Sequence, residues 1–500
     1  MDLNEARKSL MSLQRKMAAY EHALSLLSFD GSTGAPRGTA DNRAASMSML
    51  SEEIYTLATG EKSLKLLEYL DGRSADLDLP EQRMVHLMLR DIREMQKIPM
   101  DEYVSYQELL VKSEAVWHEA KEKSDFVLFA PYLKKIFETQ KRFANYADPS
   151  KKPYDYCLNK YEEGLNTESC DAFFDKVRSG IVPLLKKISE VPQVDDSIRF
   201  GHFPLDKQEE LALYLMRTIG LDLDHVGLST TEHPFTTSLG SHFDERITTH
   251  YFENDFVCSM YSVVHEGGHA LYDTGSDDSL AYTVLDGGVS MSIHESQSRF
   301  YENIIGRSRE FCRMIFPKLR ELFPEEMEGR SADELYRAVN RVEPSLIRTE
   351  ADEVTYSLHV MVRYELEKRI FAGELEVNDL PAEWNRLYKE YLGIDVPDDK
   401  HGVLQDTHWA SGLVGYFPSY ALGNAYGAQF LSRMRSAVDV EAAVASGDLS
   451  AVNAWNRENI WKHGHLYTPA QLLGRVLGGD FDPQYYIDYL TAKVRDVYGV

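Results

Sequence analysis

Two histidines and a glutamate near the middle of the chain have the spacing of a metal-binding motif. His265, Glu266 and His269 form an HExxH sequence. On an α-helix, residues four apart lie on the same face, so both imidazoles can reach one metal ion. Glu266 projects close to that face and can take a proton from a water bound to the ion. Two imidazoles, one carboxylate and an open fourth position suit a catalytic zinc, so the motif predicts such a site.

The sequence narrows the choice of residue for the third metal ligand but does not decide it. Residues 289–300 resemble a capped helix and carry His294 and Glu295 side by side. Adjacent helical side chains point about 100° apart, so only one of the two should face the metal. Glu295 on a second helix after HExxH is the arrangement of the glutamate-zincins, and a solvated helix glutamate is the alternative. Asp273, four residues after His269, either orients an imidazole or is a surface acid at a helix end.

The paired glycines inside the motif need an explanation of their own. Gly267 and Gly268 follow Glu266 directly. A glycine in a helix interior is less favourable than alanine by about 1 kcal/mol. We therefore expect another part of the backbone to pack closely against the helix at this point.

The elements that must position these side chains are mainly helical. Apolar residues recur at three- and four-residue steps through most of the chain. Thr236 to Tyr251, rich in Thr, Phe, Ile and Tyr, is the one convincing β region and comes just before the motif. The sequence therefore predicts a mostly α fold with a small β-sheet beside the HExxH helix. The predicted helices cover residues 1–30, 41–58 with Asp41 as N-cap, 64–70, 81–96, two helices in 102–146 interrupted near Pro131, 384–391, 439–445 and 483–498.

Composition excludes several classes of function. The 500 residues include 54 basic and 80 acidic side chains, a formal net charge of -26. Such an acidic surface is poorly suited to nucleic acid or to anionic membranes. No stretch reaches the roughly 18 apolar residues of a membrane span, and the N-terminus has no apolar signal segment. The four cysteines form no CxxC pair, which indicates free thiols in a reducing cytoplasm.

Six short blocks, taken in order, resemble the carboxypeptidase Taq family of metallocarboxypeptidases over essentially the whole chain. HExxH alone occurs in unrelated proteins, but the six blocks together are highly specific. In this sequence they are His233-Pro234-Phe235, Asp244-Glu245-Arg246-Ile247-Thr248 (DxRxT), the HExxH at 265–269, His294-Glu295-Ser296-Gln297, Ile347-Arg348-Thr349-Glu350-Ala351-Asp352 (IRxxAD) and Gly402-Val403-Leu404-Gln405-Asp406-Thr407-His408-Trp409 (GxxQDxHW). Phe29-Asp30 departs from the family, which usually has a tryptophan before that aspartate.

The resemblance implies a helical glutamate-zincin fold with a long cleft. It implies His265, His269 and Glu295 as metal ligands and Glu266 as the catalytic base. It also implies removal of single amino acids from peptide C-termini with broad specificity, zinc or sometimes cobalt as the ion, and a homodimer. We expect one catalytic domain over residues 1–500, with an N-terminal helical part of about 1–195 and a metal-binding part of about 196–500.

The other blocks offer candidates for substrate binding and oxyanion stabilisation. A carboxypeptidase must hold a free terminal carboxylate, and a guanidinium binds carboxylate through two parallel hydrogen bonds. Arg348 is that candidate by its match to the IRxxAD block, and an ion pair with Glu350 or Asp352 is the structural alternative. Arg246 is expected to shape the closed end of the cleft. Tyr420 and His408 are candidate donors to the tetrahedral oxyanion, or else buried side chains with satisfied hydrogen bonds.

Two other functions remain open at this point. One is an HExxH helical oligopeptidase or dipeptidyl-carboxypeptidase, with the same chemistry and a different cleavage register. The other is a helical scaffold without catalysis, in which the metal is structural. Structural zinc sites are usually closed by four Cys or His ligands, and cysteines are scarce in this part of the sequence.

Overall fold

The computed structural model describes residues 2–500, and they are mostly helical, as the sequence predicts. No helix within these residues is both long and apolar enough to cross a membrane. The helices before the sheet are α1 (Leu3–Ser32), α2 (Ala40–Thr59), α3 (Glu61–Asp71), α4 (Leu79–Lys97), α5 (Met100–Lys123), α6 (Phe126–Ala147), α7 (Pro153–Tyr161), α8 (Thr167–Ser189) and α9 (Leu205–Ile219).

The helices after the sheet include the two that carry the predicted ligands. They are α10 (Phe256–Thr274), α11 (Met291–Arg299), α12 (Arg309–Leu322), α13 (Ala332–Val339), α14 (Tyr356–Ala372), α15 (Leu380–Leu392), α16 (Pro418–Met434), α17 (Val440–Ser446), α18 (Ser450–Asn459), α19 (Pro469–Leu477) and α20 (Gln484–Tyr498). A π-helical segment, Phe300–Gly306, continues α11, and Arg348–Glu350 form a 3-10 turn.

A three-stranded sheet lies between α9 and α10 in sequence. Its strands are β1 (Val226–Thr230), β2 (Thr236–Ser238) and β3 (Glu245–Thr249). β3 is central, with β1 parallel on one side and β2 antiparallel on the other. The sheet lies beside the HExxH helix, as predicted. β1 was not predicted, because only one of its five residues is buried and its alternation is weak.

Two predicted helix boundaries are wrong. The break in the segment 102–146 lies at Ser124 and Asp125, and Pro131 lies inside α6. Ser124 adopts a left-handed backbone conformation that ends α5, and the Asp125 carboxylate caps α6 by accepting from the Val127 N–H at 3.0 Å. Asp41 is not an N-cap but lies in the first turn of α2, where its negative charge interacts favourably with the helix dipole.

The apolar core consists of two clusters. The larger one draws buried residues from the stretch between Tyr106 and Val497 and includes the apolar side of α10. The smaller one joins α1, α3 and α4 to Leu280 and Leu285. The larger cluster thus combines helices from both parts of the predicted catalytic domain, while the domain boundaries themselves remain a prediction.

Helix α10 is held at its start and buried along most of its length. Asp255 accepts a hydrogen bond from the Val257 N–H at 2.9 Å and so caps the helix. Val263, Val264 and Ala270 are fully buried on its inner side. The motif is therefore presented from a helix whose position is fixed by apolar packing.

Two glycines allow α11 to approach its neighbours at backbone distance. A Cβ on Gly268 of α10 would lie 2.7 Å from the Gln297 carbonyl oxygen and from Ser298 Cα. A Cβ on Gly423 of α16 would lie 2.6 Å from Glu295 Cβ. The expectation that another backbone packs against the paired glycines is correct for Gly268. Helix α11, and Glu295 with it, is thus enclosed between α10 and α16.

We predict that Gly268→Ala destabilises the protein, although alanine is the better helix former. The added methyl group meets backbone atoms that cannot rotate away, and overpacking of this kind typically destabilises by about 1–3 kcal/mol. Gly474→Ala is the matched control, because Gly474 lies inside α19 with nothing within 4 Å of an added Cβ. The control should gain up to about 1 kcal/mol. Scanning calorimetry should show a lower midpoint for Gly268→Ala and an equal or higher one for Gly474→Ala; equal midpoints would contradict the close approach.

Candidate metal centre and active site

His265, His269 and Glu295 come together where α10 and α11 face each other. Glu295 Oε2 lies 3.6 Å from His269 Nε2 and 3.8 Å from His265 Nε2. Within residues 2–500, these three form the one group of His, Cys, Asp or Glu side chains whose ligand atoms all lie within 4.8 Å of one another. The two imidazoles remain partly exposed, so solvent and ligands can reach them.

The donor set fits a divalent metal ion. Tetrahedral coordination with bonds of about 2.1 Å places neighbouring donor atoms roughly 3.4 Å apart. The observed separations of 3.6 and 3.8 Å exceed that by a few tenths of an ångström. Two neutral nitrogens and one carboxylate oxygen are also the donor types of catalytic sites that keep one position for water or substrate.

His294 and Glu295, adjacent in sequence, point in different directions. His294 Nε2 lies 3.2 Å from Asp273 Oδ1. Glu295 Oε2, in contrast, faces the imidazoles of the motif. Asp273 also accepts a hydrogen bond from the Gly288 N–H at 3.1 Å and is buried. Asp273 therefore does contact an imidazole, but that of His294, and it is not a surface acid.

Arg299 and Glu302 support the ligands and were missed by the sequence analysis. Glu302 Oε2 lies 2.8 Å from His265 Nδ1 and thereby orients that ring. Arg299 donates from Nε to Glu295 Oε1 at 2.7 Å and from Nη1 to Glu302 Oε2 at 3.1 Å. These contacts close a ring through His265, Glu302, Arg299 and Glu295. Their spacing could have indicated them, because Arg299 lies four and Glu302 seven positions after Glu295, which places all three on one helical face.

The surroundings of Glu295 and His269 favour the protonation states in which these two side chains bind a metal, whereas those of His265 favour its protonated form. Burial alone would raise the pKa of the Glu295 carboxyl, but the charges of Arg299 and His265 hold it well below its usual range. Burial likewise lowers the pKa of His269, which favours the neutral, metal-binding imidazole. Burial acts in the same direction on His265, although the charge of Glu295 and the hydrogen bond with Glu302 raise its pKa overall.

Glu266, the predicted base, is buried next to the ligand pair and is held by the sheet. The Thr236 hydroxyl of β2 donates to Glu266 Oε2 at 2.6 Å. Glu266 Oε1 receives no hydrogen bond from residues 2–500 and is free to meet a water or substrate. The carboxylate is therefore fixed on one side and available on the other.

His408 and Tyr420 are in contact with each other. His408 Nε2 lies 3.1 Å from the Tyr420 hydroxyl, and both side chains are partly exposed. Burial lowers the pKa of His408 to about 3; the charge of Asp406 opposes this, and the guanidinium groups of Arg348 and Arg363 reinforce it. His408 is thus neutral near pH 7 and carries a single N–H.

Tyr416 is a neighbour of this pair that no sequence motif singled out. Its ring centroid lies 5.2 Å from that of Tyr420. Burial is the largest cause that raises the pKa of Tyr416 and of Tyr420. The negative charge of Glu295 also raises the pKa of both phenols. Both phenols therefore keep their protons at neutral pH and lie within electrostatic reach of the ligand carboxylate.

Arg348 is buried and has partners that its neighbours in sequence did not indicate. Its Nε and Nη2 donate to Asp406 Oδ1 at 3.1 and 2.9 Å, and Nη1 donates to the Tyr356 hydroxyl at 2.8 Å. Arg363 donates to the other oxygen of Asp406 at 2.7 Å. Neither Glu350 nor Asp352 is its ion-pair partner. One carboxylate thus faces two guanidinium groups, which leaves the cluster of Arg348, Asp406 and Arg363 with one surplus positive charge.

Tyr356 and Tyr420 connect this basic cluster to the metal centre. Arg348 lies 4.8 Å from the centroid of the Tyr420 ring, and Arg299 lies 4.3 Å from that of Tyr356. The hydroxyl of Tyr356 accepts from Arg348, so the same ring contacts both arginines. The surplus positive charge is therefore next to the candidate oxyanion donor Tyr420.

Arg246 lies on the central strand β3. Its Nε donates to Asp244 Oδ1 at 2.7 Å, and the side chain remains about one-third exposed. It also covers Gly227 of β1, where an added Cβ would meet its Nη1 at 2.9 Å. The side chain is thus anchored to the sheet with part of its guanidinium open to solvent.

Comparison with known proteins finds similarity in sequence and fold along nearly the whole chain. The family model described as Carboxypeptidase Taq (M32) metallopeptidase matches residues 9–494. Carboxypeptidase 1 of Bacillus subtilis is 39% identical over 500 residues, covering all of both chains. Thermostable carboxypeptidase 1 of Pyrococcus furiosus is 36% identical over 98% of each chain. The crystal structure of the M32 carboxypeptidase from Deinococcus radiodurans superposes with a TM-score of 0.96 at 36% identity, covering 99% of this chain and 100% of that one.

We predict that Glu295→Ala loses metal much more readily than His294→Ala. Glu295 is one of the three converging donors, whereas His294 contacts Asp273. Elemental analysis after dialysis against a weak chelator measures the difference. The two substitutions remove neighbouring side chains of the same helix, so each is a control for the other's effect on folding. Equal metal retention would mean that Glu295 is not the third ligand.

Proposed function

The chain belongs to the carboxypeptidase Taq (M32) family of metallopeptidases, and from that membership we propose that it removes single amino acids from the free C-termini of peptides, with broad specificity. The observation that carries the proposal is the convergence of His265, His269 and Glu295 beside the carboxylate of Glu266. A metallopeptidase that cleaves by activated water uses these two components, a metal ion and a base.

We propose zinc as the resident ion, with cobalt as a possible substitute. The two imidazoles and one carboxylate are donors that both ions accept, and zinc is the usual ion in three-ligand hydrolytic sites. When bound, a divalent ion polarises the scissile carbonyl and increases the acidity of the attacking water. Arg299 supports this ligand set by engaging Glu295 Oε1, so that Glu295 Oε2 alone faces the imidazoles.

Glu266 moves the proton in the proposed reaction. Oε1 takes a proton from the attacking water, and the same carboxyl then delivers it to the departing amine. The hydrogen bond from Thr236 to Oε2 restrains the carboxylate while this occurs. This sequence of steps needs no covalent intermediate with the protein.

Tyr420 is the proposed donor to the developing oxyanion, with His408 setting the direction of its proton. If the single proton of neutral His408 is on Nε2, it donates to the Tyr420 oxygen, and the phenol proton is free for the substrate. Such donors are effective when they are fixed in place before the reaction. The packing of the Tyr420 ring against Arg348 supplies that fixation.

Arg348 and its partners are the proposed attraction for the terminal carboxylate. The cluster with Asp406 and Arg363 keeps one surplus positive charge in a place that is largely shielded from water. A free carboxylate near Tyr420 would neutralise it, whereas an amidated terminus would not. Arg246, anchored through Asp244, is proposed to close the far end of the cleft.

Two further proposals concern assembly and location. A homodimer is proposed from the family alone. A reducing compartment such as the cytoplasm is supported by the cysteines, since all four are free thiols. Three of them, Cys157, Cys170 and Cys312, are buried.

We predict that Glu266→Gln abolishes turnover while the metal remains bound. The amide cannot take a proton from water, but the three ligands are untouched, and general-base catalysis is typically worth 10²- to 10⁴-fold. Release of the C-terminal residue from an N-blocked peptide measures kcat, and elemental analysis measures the metal. Activity within about tenfold of the wild type would exclude Glu266 as the base.

We predict that Arg348→Ala lowers kcat/KM on free-acid peptides by roughly 10- to 150-fold, corresponding to a charge-assisted hydrogen bond of about 1.5–3 kcal/mol. Arg348→Lys should restore only part of this, because an ammonium cannot make the paired hydrogen bonds. C-terminally amidated peptides, which the wild type should cleave poorly, are the internal control, since damage to the fold would affect both substrates equally. Equal cleavage of both peptides by the wild type would favour an oligopeptidase. Undiminished discrimination in Arg348→Ala would place the carboxylate site elsewhere.

A further inference from the structure

We propose that the blocks His233–Phe235 and Asp244–Thr248 interlock to hold Thr236 against Glu266, which makes Thr236 a positioning residue for the base. This inference rests on the role proposed for Glu266 and gives a task to two blocks that supply neither a metal ligand nor the base. Three sets of contacts carry it: those of the Thr236 hydroxyl, and those that fix each end of strand β2.

The Thr236 hydroxyl is directed at the carboxylate of Glu266. Its oxygen lies 2.6 Å from Glu266 Oε2 and 3.0 Å from the Glu266 carbonyl oxygen. That carbonyl lies inside α10, where the helical pattern already gives it the N–H of Ala270. The shorter contact is to a charged acceptor, so the single hydroxyl proton goes to Oε2.

The N-terminal end of β2 is fixed by a reciprocal contact with Thr248. The Phe235 N–H donates to Thr248 Oγ1 at 2.8 Å, and the Thr248 N–H donates to the Phe235 carbonyl at 2.9 Å. Thr248 is fully buried on the central strand β3. Phe235 closes the first block and Thr248 closes the second. Thr236, which follows Phe235 directly, therefore takes its position from this junction.

The C-terminal end of β2 is fixed by the second block as well. Ser238 donates through its hydroxyl to Glu245 Oε1 and faces Glu245 across the antiparallel pair. Glu245 is fully buried, and its N–H donates to the His225 carbonyl at 2.9 Å. A strand of only three residues has few ladder hydrogen bonds of its own, so these side-chain contacts at both ends define where it lies.

The position matters because Glu266 is a flexible side chain with a directional task. Its Oε1 must meet a water in one geometry, and a misplacement of about 1 Å at a reacting group can lower a rate about 100-fold. The hydroxyl on Oε2 selects one orientation of the carboxylate in advance. Thr236 itself transfers no proton and touches no substrate in this scheme.

The first test compares Thr236→Val with Thr236→Ser and with Thr249→Val. Valine keeps the shape of threonine and removes the hydroxyl, so kcat should fall by roughly 10- to 100-fold with KM and metal content unchanged. Serine keeps the hydroxyl and should restore kcat to within about threefold of the wild type. Thr249 is the matched control, because it is fully buried on β3 and its Oγ1 has no hydrogen-bond partner among residues 2–500. Thr249→Val should leave kcat and KM unaltered.

The second test uses Thr248→Val, which removes the side-chain hydrogen bond of the junction, keeps the bond from the Thr248 N–H to the Phe235 carbonyl, and leaves the Thr236 hydroxyl in place. It should lower kcat in the same direction as Thr236→Val, by less, and again with unchanged KM. A kcat within twofold of the wild type in Thr236→Val overturns the proposal. So does an equal fall in Thr249→Val, or a fall that accompanies loss of metal.

Glu266→Gln separates this proposal from the function on which it rests. Adding Thr236→Val to Glu266→Gln should have no further effect on the residual rate, because the carboxylate that the hydroxyl restrains is gone. If Glu266→Gln stays active, the proposed mechanism fails whatever Thr236 does. If Glu266→Gln is inactive and Thr236→Val behaves as the wild type, the role of Glu266 stands and the positioning role of Thr236 is wrong.

Discussion

The site depends on the contact of α11 with two helices at backbone distance. Gly268 allows α10 to meet the backbone at Gln297 and Ser298, and Gly423 allows α16 to meet Glu295. With no side chain between these backbones, the helices cannot slide without collision, because close-packed interiors have few voids to absorb a shift. The separation between the motif imidazoles and Glu295 Oε2 is therefore set by the packing of the main chain, and rotamer choice refines it.

Neighbouring arginines compensate the charges of the buried carboxylates at this site and so stabilise its geometry. Glu295 and Glu302 are two buried carboxylates, and neither would remain ionised there without a partner. Arg299 lies between them, and Arg307 donates to Glu302 Oε1 at 3.0 Å. The basic cluster around Asp406 differs, because it has two guanidinium groups for one carboxylate. Tyr356 contacts Arg299 through its ring and Arg348 through its hydroxyl, so the two charged groups share one rigid side chain.

The sequence predicted what depends on local spacing and missed what depends on distant contacts. The four-residue step of HExxH was enough to indicate His265 and His269, whereas the cap of the following helix left His294 and Glu295 open and the family resemblance pointed to Glu295. The partner of Arg348 was sought at Glu350 and Asp352, yet Asp406 lies 58 positions away, and only tertiary structure brings it there. Strand β1 was missed because its stability comes from parallel pairing with β3. Pro131 was read as a break because the Ser124 turn was overlooked, an error of local chemistry that the sequence could have prevented.

In the proposed mechanism, the single surplus positive charge beside Asp406 affects how peptide binding responds to ionic strength. The chain carries a formal net charge of -26, so its exterior repels acidic peptides at long range. Dissolved salt screens charges across solvent over about 10 Å at 0.1 M, but screens buried charges much less. Added salt should therefore speed the approach of acidic peptides while leaving the attraction of Arg348 for a docked carboxylate nearly unchanged. Approach and capture are thus governed by charges of opposite sign, which respond differently to the same solvent.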